Sequence, residues 1–226
     1  QAISYPLNPP LLASLVLLVW FYYFYLTKKN IFLLIFLGAI IAPIKVYAFI
    51  LLVLALVIER KFKLSLAIFL IGAMLLLPTI TLGQSILQVN PFWFIKSLFE
   101  SPDHLYLPWL AQAIQTYQNS GKLIQLVLIN TIGLFLFLIG NFGIRTLGLF
   151  QRTTKDDRLG ISIIFLGILF PLIFIQASNP WNTIQFIYYS QFFAGLFTAR
   201  ILKKHWLVLA VVLSIIGSGI TLRDYF

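Results

Sequence analysis

Residues 31–58 read IFLLIFLGAIIAPIKVYAFILLVLALVI, an apolar run of 28 residues whose one charge, Lys45, stands two positions after Pro43. As a single straight helix the run would extend about 42 Å at 1.5 Å per residue, more than a bilayer hydrocarbon core of about 30 Å requires. Proline removes a ladder donor and its ring collides with the preceding turn, so Ala42-Pro43-Ile44-Lys45 is a place for the helix to break. Either the segment crosses once at a strong tilt, or it splits into two half-length pieces with Lys45 at the turn. An ionisable group at membrane depth costs at least a few kcal/mol unless it reaches water or a partner. Lys45 is therefore the first candidate for function.

The rest of the chain agrees with a bilayer environment. Hydrophobic residues make up 61% of the 226 and charged residues 10%, with a mean hydropathy of +0.98, too little polar surface for a water-soluble domain. The apolar runs are continuous rather than alternating, which selects helices over a barrel. The expected fold is all-α: a polytopic transmembrane bundle of about six crossing helices, at 9–26, 64–82, 123–142, 161–175, 183–199 and 206–222, plus the broken or re-entrant element at 31–58. Between them 83–121, with Pro91, Pro102 and Pro108, reads as an outer segment of short interfacial helices. One membrane domain covers 1–226. The chain begins at Gln1 and its single methionine is Met74, so it reads as a fragment of a longer protein. Cysteine is absent, which excludes disulfides and thiolate chemistry.

Charge placement supplies a topology. Of the 16 Lys and Arg, 15 remain when Lys45 is set aside. If 31–58 turns back, 12 of these share one side and only Lys96, Lys122 and Arg223 face the other; a single crossing gives 10 and 5. Because positive residues accumulate in cytoplasmic loops, the re-entrant arrangement is preferred. Loops 28–29, 59–63, 145–158 and 200–205 are then cytoplasmic, and 83–121 and 177–183 lie outside. Trp20, Tyr22, Tyr23 and Tyr25 form an aromatic cluster of the kind found at the headgroup level. The net charge of +10 is a topology signal with the lipid bilayer as its partner, and not a nucleic-acid footprint, because no basic groove is interleaved with aromatics.

Three constellations could carry chemistry. Lys45 could meet an anionic group, or it could cap the carbonyls freed at the break. Glu100, Asp103 and His104 could act as general acid and base or hold a divalent metal, although Ser101-Pro102-Asp103 is also an ordinary helix-start signal. No other cofactor motif is identifiable. After Trp181 and Asn182, Gln185, Tyr188 and Tyr189 fall on one face of a helix, and amides and aromatics with polar tips suit sugar hydroxyls and sugar faces. The same pattern suits an interfacial aromatic belt. Gln125, Asn130, Thr131 and Asn141 read as interhelical hydrogen-bonding residues.

Taken together, Pro43-Ile44-Lys45-Val46-Tyr47-Ala48, Gly140-Asn141-Phe142-Gly143-Ile144-Arg145 and Asn179-Pro180-Trp181-Asn182-Thr183-Ile184-Gln185-Phe186 resemble stretches in the C-terminal half of large bacterial membrane proteins related to the GT-C glycosyltransferase superfamily. The resemblance implies a polyprenyl-phosphate-linked sugar as donor and transfer at the outer face of the bacterial cytoplasmic membrane. It also implies a catalytic acid in a first outer loop that no stretch here matches, so no catalytic residue is carried over. The expected function is part of such a transferase. The alternatives are a transporter or lipid flippase with a midplane site at Lys45, and a non-catalytic membrane scaffold subunit.

Overall fold

The 31–58 stretch breaks where its proline predicts. In the computed structural model, which describes residues 8–79, 87–100, 106–150, 154–176, 180–202 and 208, helix α1 (Pro9–Leu26) is followed by α2 (Ile31–Ile44) and α3 (Val46–Ile58). Lys45 between them is extended, with φ −157° and ψ 103°; its N–H closes α2 on the Ile41 carbonyl at 2.8 Å and its own carbonyl opens α3 by accepting from Phe49 at 3.2 Å.

Whether the two pieces continue in one direction is decided by α4 (Phe62–Leu76). The Ser65 hydroxyl donates to the Val53 carbonyl at 2.9 Å, while Ile68 packs on Gly38, where a Cβ would stand 2.7 Å from its Cδ1. In one straight helix positions 38 and 53 would be about 22 Å apart, yet their partners on α4 are one turn, about 4.5 Å, from each other. Gly72 touches Ala42 of α2 and Phe49 of α3 at once. The segment is thus an antiparallel hairpin with Lys45 at its tip, and α4 nests in the fork through Gly38 and Gly72.

The helix ends confirm which residues share one end. At the close of α1, Lys28 has φ 51° and Lys29 N–H reaches back to Phe24 O at 3.0 Å; at the close of α3, Arg60 has φ 58° and Lys61 N–H reaches Leu56 O at 2.9 Å. Both are left-handed terminations that satisfy the last carbonyls, with basic residues where glycine is usual. The two ends meet around a cleft of about 790 Å³ lined by Lys28, Lys29, Arg60, Lys61, Lys63 and Asp156.

Beyond α4 the chain forms a short strand β1 (Leu87–Val89), then α5 (Trp93–Glu100), α6 (Pro108–Asn119) and α7 (Leu123–Phe142), which a 3-10 helix, Gly143–Phe150, follows. Helix α8 (Arg158–Ile173) ends in strand β2 (Phe174–Gln176), antiparallel to β1 with Leu87 opposite Gln176. Carbonyls freed at that end find partners: Phe92 N–H bonds Leu172 O, Asn90 N–H bonds Ile173 O, and the Trp93 indole donates to Phe174 O at 3.0 Å. Helix α9 (Gln185–Ile201) packs on α8, where the absence of a side chain at Gly160 and Gly167 admits Phe197 and the Phe186 backbone.

Among the described residues two helices are long and apolar enough to cross a membrane, Pro9–Leu26 and Leu123–Phe150; α2, α3 and α4 are shorter apolar helices. The surface is greasy: Phe32, Ile124 and Phe150 are each at least 75% exposed, and Leu123, Met74 and Leu77 close to 70%. Single exposed apolar residues are normal, but so dense a set of them marks surface that water does not cover.

Three details differ from the sequence-based expectation. Residues 145–150 are not loop; after a break in the helical backbone at Gly143 (φ 51°) they form a 3-10 helix that packs along α9. Helix α5 presses Phe94 and Ile95 against α7, where Phe94 and Phe137 rings are 4.7 Å apart and Gly133 leaves room for Ile95 and Phe99, so protein covers its apolar face. Asn130 and Thr131 turn back onto Leu126 O and Val127 O of their own helix, whereas Asn141, whose amide bonds Phe137 O, also receives an interhelical bond from the Gln191 amide of α9 on its backbone carbonyl at 3.1 Å. The expected span at 206–222 lies outside the described residues, apart from Val208.

Candidate functional site

Lys45 stands at the end of the hairpin opposite the basic cleft. A cleft of about 420 Å³ opens there between Pro43, Lys45, Tyr47, Leu76, Leu87, Gln176 and Phe186. The Lys45 ammonium lies 5.3 Å from the centre of the Tyr47 ring, within cation–π range. The Tyr47 hydroxyl donates to Gln176 Oε1 at 2.8 Å, and its ring packs 4.9 Å from Phe186, which stacks in turn on Phe170 at 4.9 Å. Three elements hold these groups in place: the tip of α2 and α3, the strand ending α8, and the first turn of α9. The cleft offers one cation, one amide bonded to a phenol, and aromatic walls. Such a set can hold an anionic group beside a flat or apolar one.

The other polar face is divided by packing. Tyr189 is fully buried against α1, its hydroxyl 2.7 Å from Ser14 Oγ. Gln185 donates to Asn182 Oδ1 at 3.2 Å, and Gln185 Oε1 is buried with no hydrogen-bond partner among the described residues. Tyr188 and Asn182 are half-buried. Trp181 lies in the 3-10 turn Pro180–Ile184. Of α9, Phe186 rather than Gln185, Tyr188 or Tyr189 comes to the described wall of the Lys45 cleft.

Glu100 ends α5 and pairs with Lys96 at 3.8 Å, both side chains about half exposed, a contact worth about 0–1 kcal/mol. Asp103 and His104 lie outside the described residues. Among the described residues no group of three or more His, Cys, Asp or Glu is close enough to hold a metal.

At the opposite end Asp157, 5% exposed, pairs with Arg200 and closes a capping box with the Thr154 backbone N–H at 3.0 Å and its hydroxyl at 2.8 Å. Burial is the largest influence on this carboxyl and would raise it, but the Thr154 and Arg200 hydrogen bonds and the Arg200 charge together hold it below the usual carboxylate value. Glu59 is pushed up by burial, against the pull of Arg158 and Lys61.

Sequence reasoning found Lys45 but not Tyr47, Gln176 or Phe186 as its neighbours. Tyr47 was legible as the polar-tipped aromatic two residues on. Gln176 is 129 positions from Tyr47, and nothing local announces such a contact. Compared with protein-family models, curated proteins and solved structures, the chain matches none.

Proposed function

We propose that this chain is a polytopic membrane unit that binds an anionic lipid-linked substrate at the Lys45 cleft, as part of a GT-C-like glycosyltransferase using a polyprenyl-phosphate-linked sugar. The observation that carries the reading is Lys45 at the tip of a hairpin, in a cleft with the Tyr47–Gln176 bond and the Phe186 ring. A phosphate would take the ammonium, and an isoprenoid or sugar face would take the aromatics.

The proposed orientation puts the basic cleft in the cytoplasm, since five Lys and Arg converge there. Helix α2, with 14 residues, is about 21 Å long and stops roughly 9 Å short of a 30 Å core, so the hairpin is re-entrant. Lys45 then sits at outer-leaflet depth and not at the midplane. Helices α5 and α6 belong to the outer side, where the resemblance to GT-C proteins places transfer. The bacterial cytoplasmic membrane is the location this reading requires.

The test is polyprenyl-phosphate binding by the detergent-solubilised chain, with polyprenol as the uncharged control. Lys45→Met keeps length and apolarity, and its affinity should fall by about 1–3 kcal/mol, the range for a charged hydrogen bond. Unchanged affinity in Lys45→Met would make the lysine a cap for the helix break and leave the scaffold reading. The broken hairpin also favours a carrier, because discontinuous helices are how many transporters build ion and substrate sites. Lys45-dependent flipping of a fluorescent lipid in reconstituted vesicles would select that second reading.

A further inference from the structure

The molecule has a second cation within its helix packing, far from Lys45. Arg145, on the 3-10 helix after α7, runs its side chain past Gly195 of α9; a Cβ on Gly195 would stand 3.8 Å from the Arg145 Cδ and Nε. The backbone is anchored where the Thr198 hydroxyl reaches the Arg145 carbonyl at 3.1 Å, and a bare Gly148 lets the 3-10 helix press onto α9. Arg145 has no carboxylate within ion-pair distance among the described residues, whereas Arg200, on α9, is neutralised by Asp157.

Arg145 opens onto a groove of about 520 Å³, walled on one side by an α1 stripe that includes Leu12, Val16 and Trp20, and on the other by Phe192 and Leu196 of α9. Leu12, Val16 and Trp20 are each about half exposed, so the groove faces outward. Its volume lies within the range of ordinary ligand sites. Gly195 is five residues, about 7.5 Å of axial rise, before Arg200 at the basic end. Helix α1 runs from the Lys45 end toward that basic end, so Trp20 and Arg145 mark the basic-end mouth of the groove and Leu12 its far end.

We propose that this groove is a binding site for an anionic phospholipid of the leaflet at the basic end, with its phosphate on Arg145 and one acyl chain along Leu12, Val16 and Leu196. Charge complementarity selects the occupant: a guanidinium with no ion-pair partner among the described residues, at the mouth of an apolar channel, matches an amphiphile that carries its charge at one end and hydrocarbon behind it. A zwitterionic lipid satisfies the channel equally well but brings its own cation to Arg145. Trp20, at the mouth, is a built-in reporter.

The experiment follows quenching of Trp20 by acyl-brominated lipids in the detergent-solubilised chain, with the Trp20 component identified by its loss in Trp20→Phe. Brominated phosphatidylglycerol should reach half-quenching at a concentration at least tenfold lower than brominated phosphatidylcholine. Arg145→Gln should abolish that preference and Arg145→Lys should retain most of it. Lys45→Met should leave it intact, which separates this site from the cleft at the hairpin tip. Gly195→Leu improves helix propensity and fills the groove beside Arg145, so it should suppress quenching by both lipids without unfolding the chain. Equal half-quenching by the two lipids in the parent, a preference surviving Arg145→Gln, or parent-like quenching in Gly195→Leu each overturns the assignment.

Discussion

Gly72 sits where α4 enters the fork of the α2–α3 hairpin, and Gly72→Ala measures how tight that fork is. A Cβ built there meets the Phe49 ring at 2.5 and 2.6 Å and the Ala42 methyl at 3.2 Å. Carbon atoms in comfortable contact are about 3.5–4.0 Å apart, so the ring must withdraw by roughly 1 Å. Phe49 is only 3% exposed and has little room to do so. Overpacking of this kind costs about 1–3 kcal/mol, and replacing a mid-helix glycine by alanine returns about 1 kcal/mol of helix propensity. The net expectation is a destabilisation of about 1 kcal/mol, or roughly 2–4 °C in the unfolding midpoint for a chain of this size. Unfolding followed by circular dichroism in detergent would read it. Phe49→Leu shortens the ring's reach, so the double variant should recover stability, with a coupling of about 1–2 kcal/mol. If Gly72→Ala is stabilising by its full propensity and the two changes simply add, Phe49 does not lie over Gly72 and the hairpin is wrong.

Three further outcomes can be checked independently. The cysteine-free chain allows paired cysteines at Val53 with Ser65 and at Gly38 with Ile68; both pairs should cross-link, and a straight 31–58 helix permits only one of them. Asp157→Asn should cost about 1–3 kcal/mol by breaking the Arg200 pair and the Thr154 box. Because the folded carboxyl is held below its ordinary value, its contribution is fully present above about pH 4 and lost as pH falls through the lower folded value, so the parent should show an acid-side loss of stability that Asp157→Asn lacks. Tyr189→Phe should cost about 0.5–1.5 kcal/mol in thermal unfolding, since Ser14 Oγ keeps its bond to the Leu11 carbonyl; no change would show that the contact between α1 and α9 is not a hydrogen bond.

The sequence alone determined the helical class, the break at Pro43, and the basic residues that close helix ends. Each of these is local: a proline removes a donor wherever it stands, and continuous apolar runs longer than a strand can use leave helix as the outcome. It also singled out Lys45, because one charge in 28 apolar residues is conspicuous without any partner being known. The tertiary structure decided what faces what. The turn-back of α3 rests on Val53 meeting Ser65 and on Gly72 meeting two helices, contacts whose partners lie well apart in the chain. Tyr189 shared its helical face with Tyr188 and Gln185 in the sequence pattern, yet α1 covers it, since periodicity gives a side chain's direction along its own helix and not the neighbour it meets. Arg145 reads as a loop residue beside other charges, and only the packing of residues 143–150 along α9 carries it into an apolar groove. Local sequence specifies where a helix starts, ends and bends, whereas burial of those helices against one another is a long-range free-energy balance that no window of residues contains.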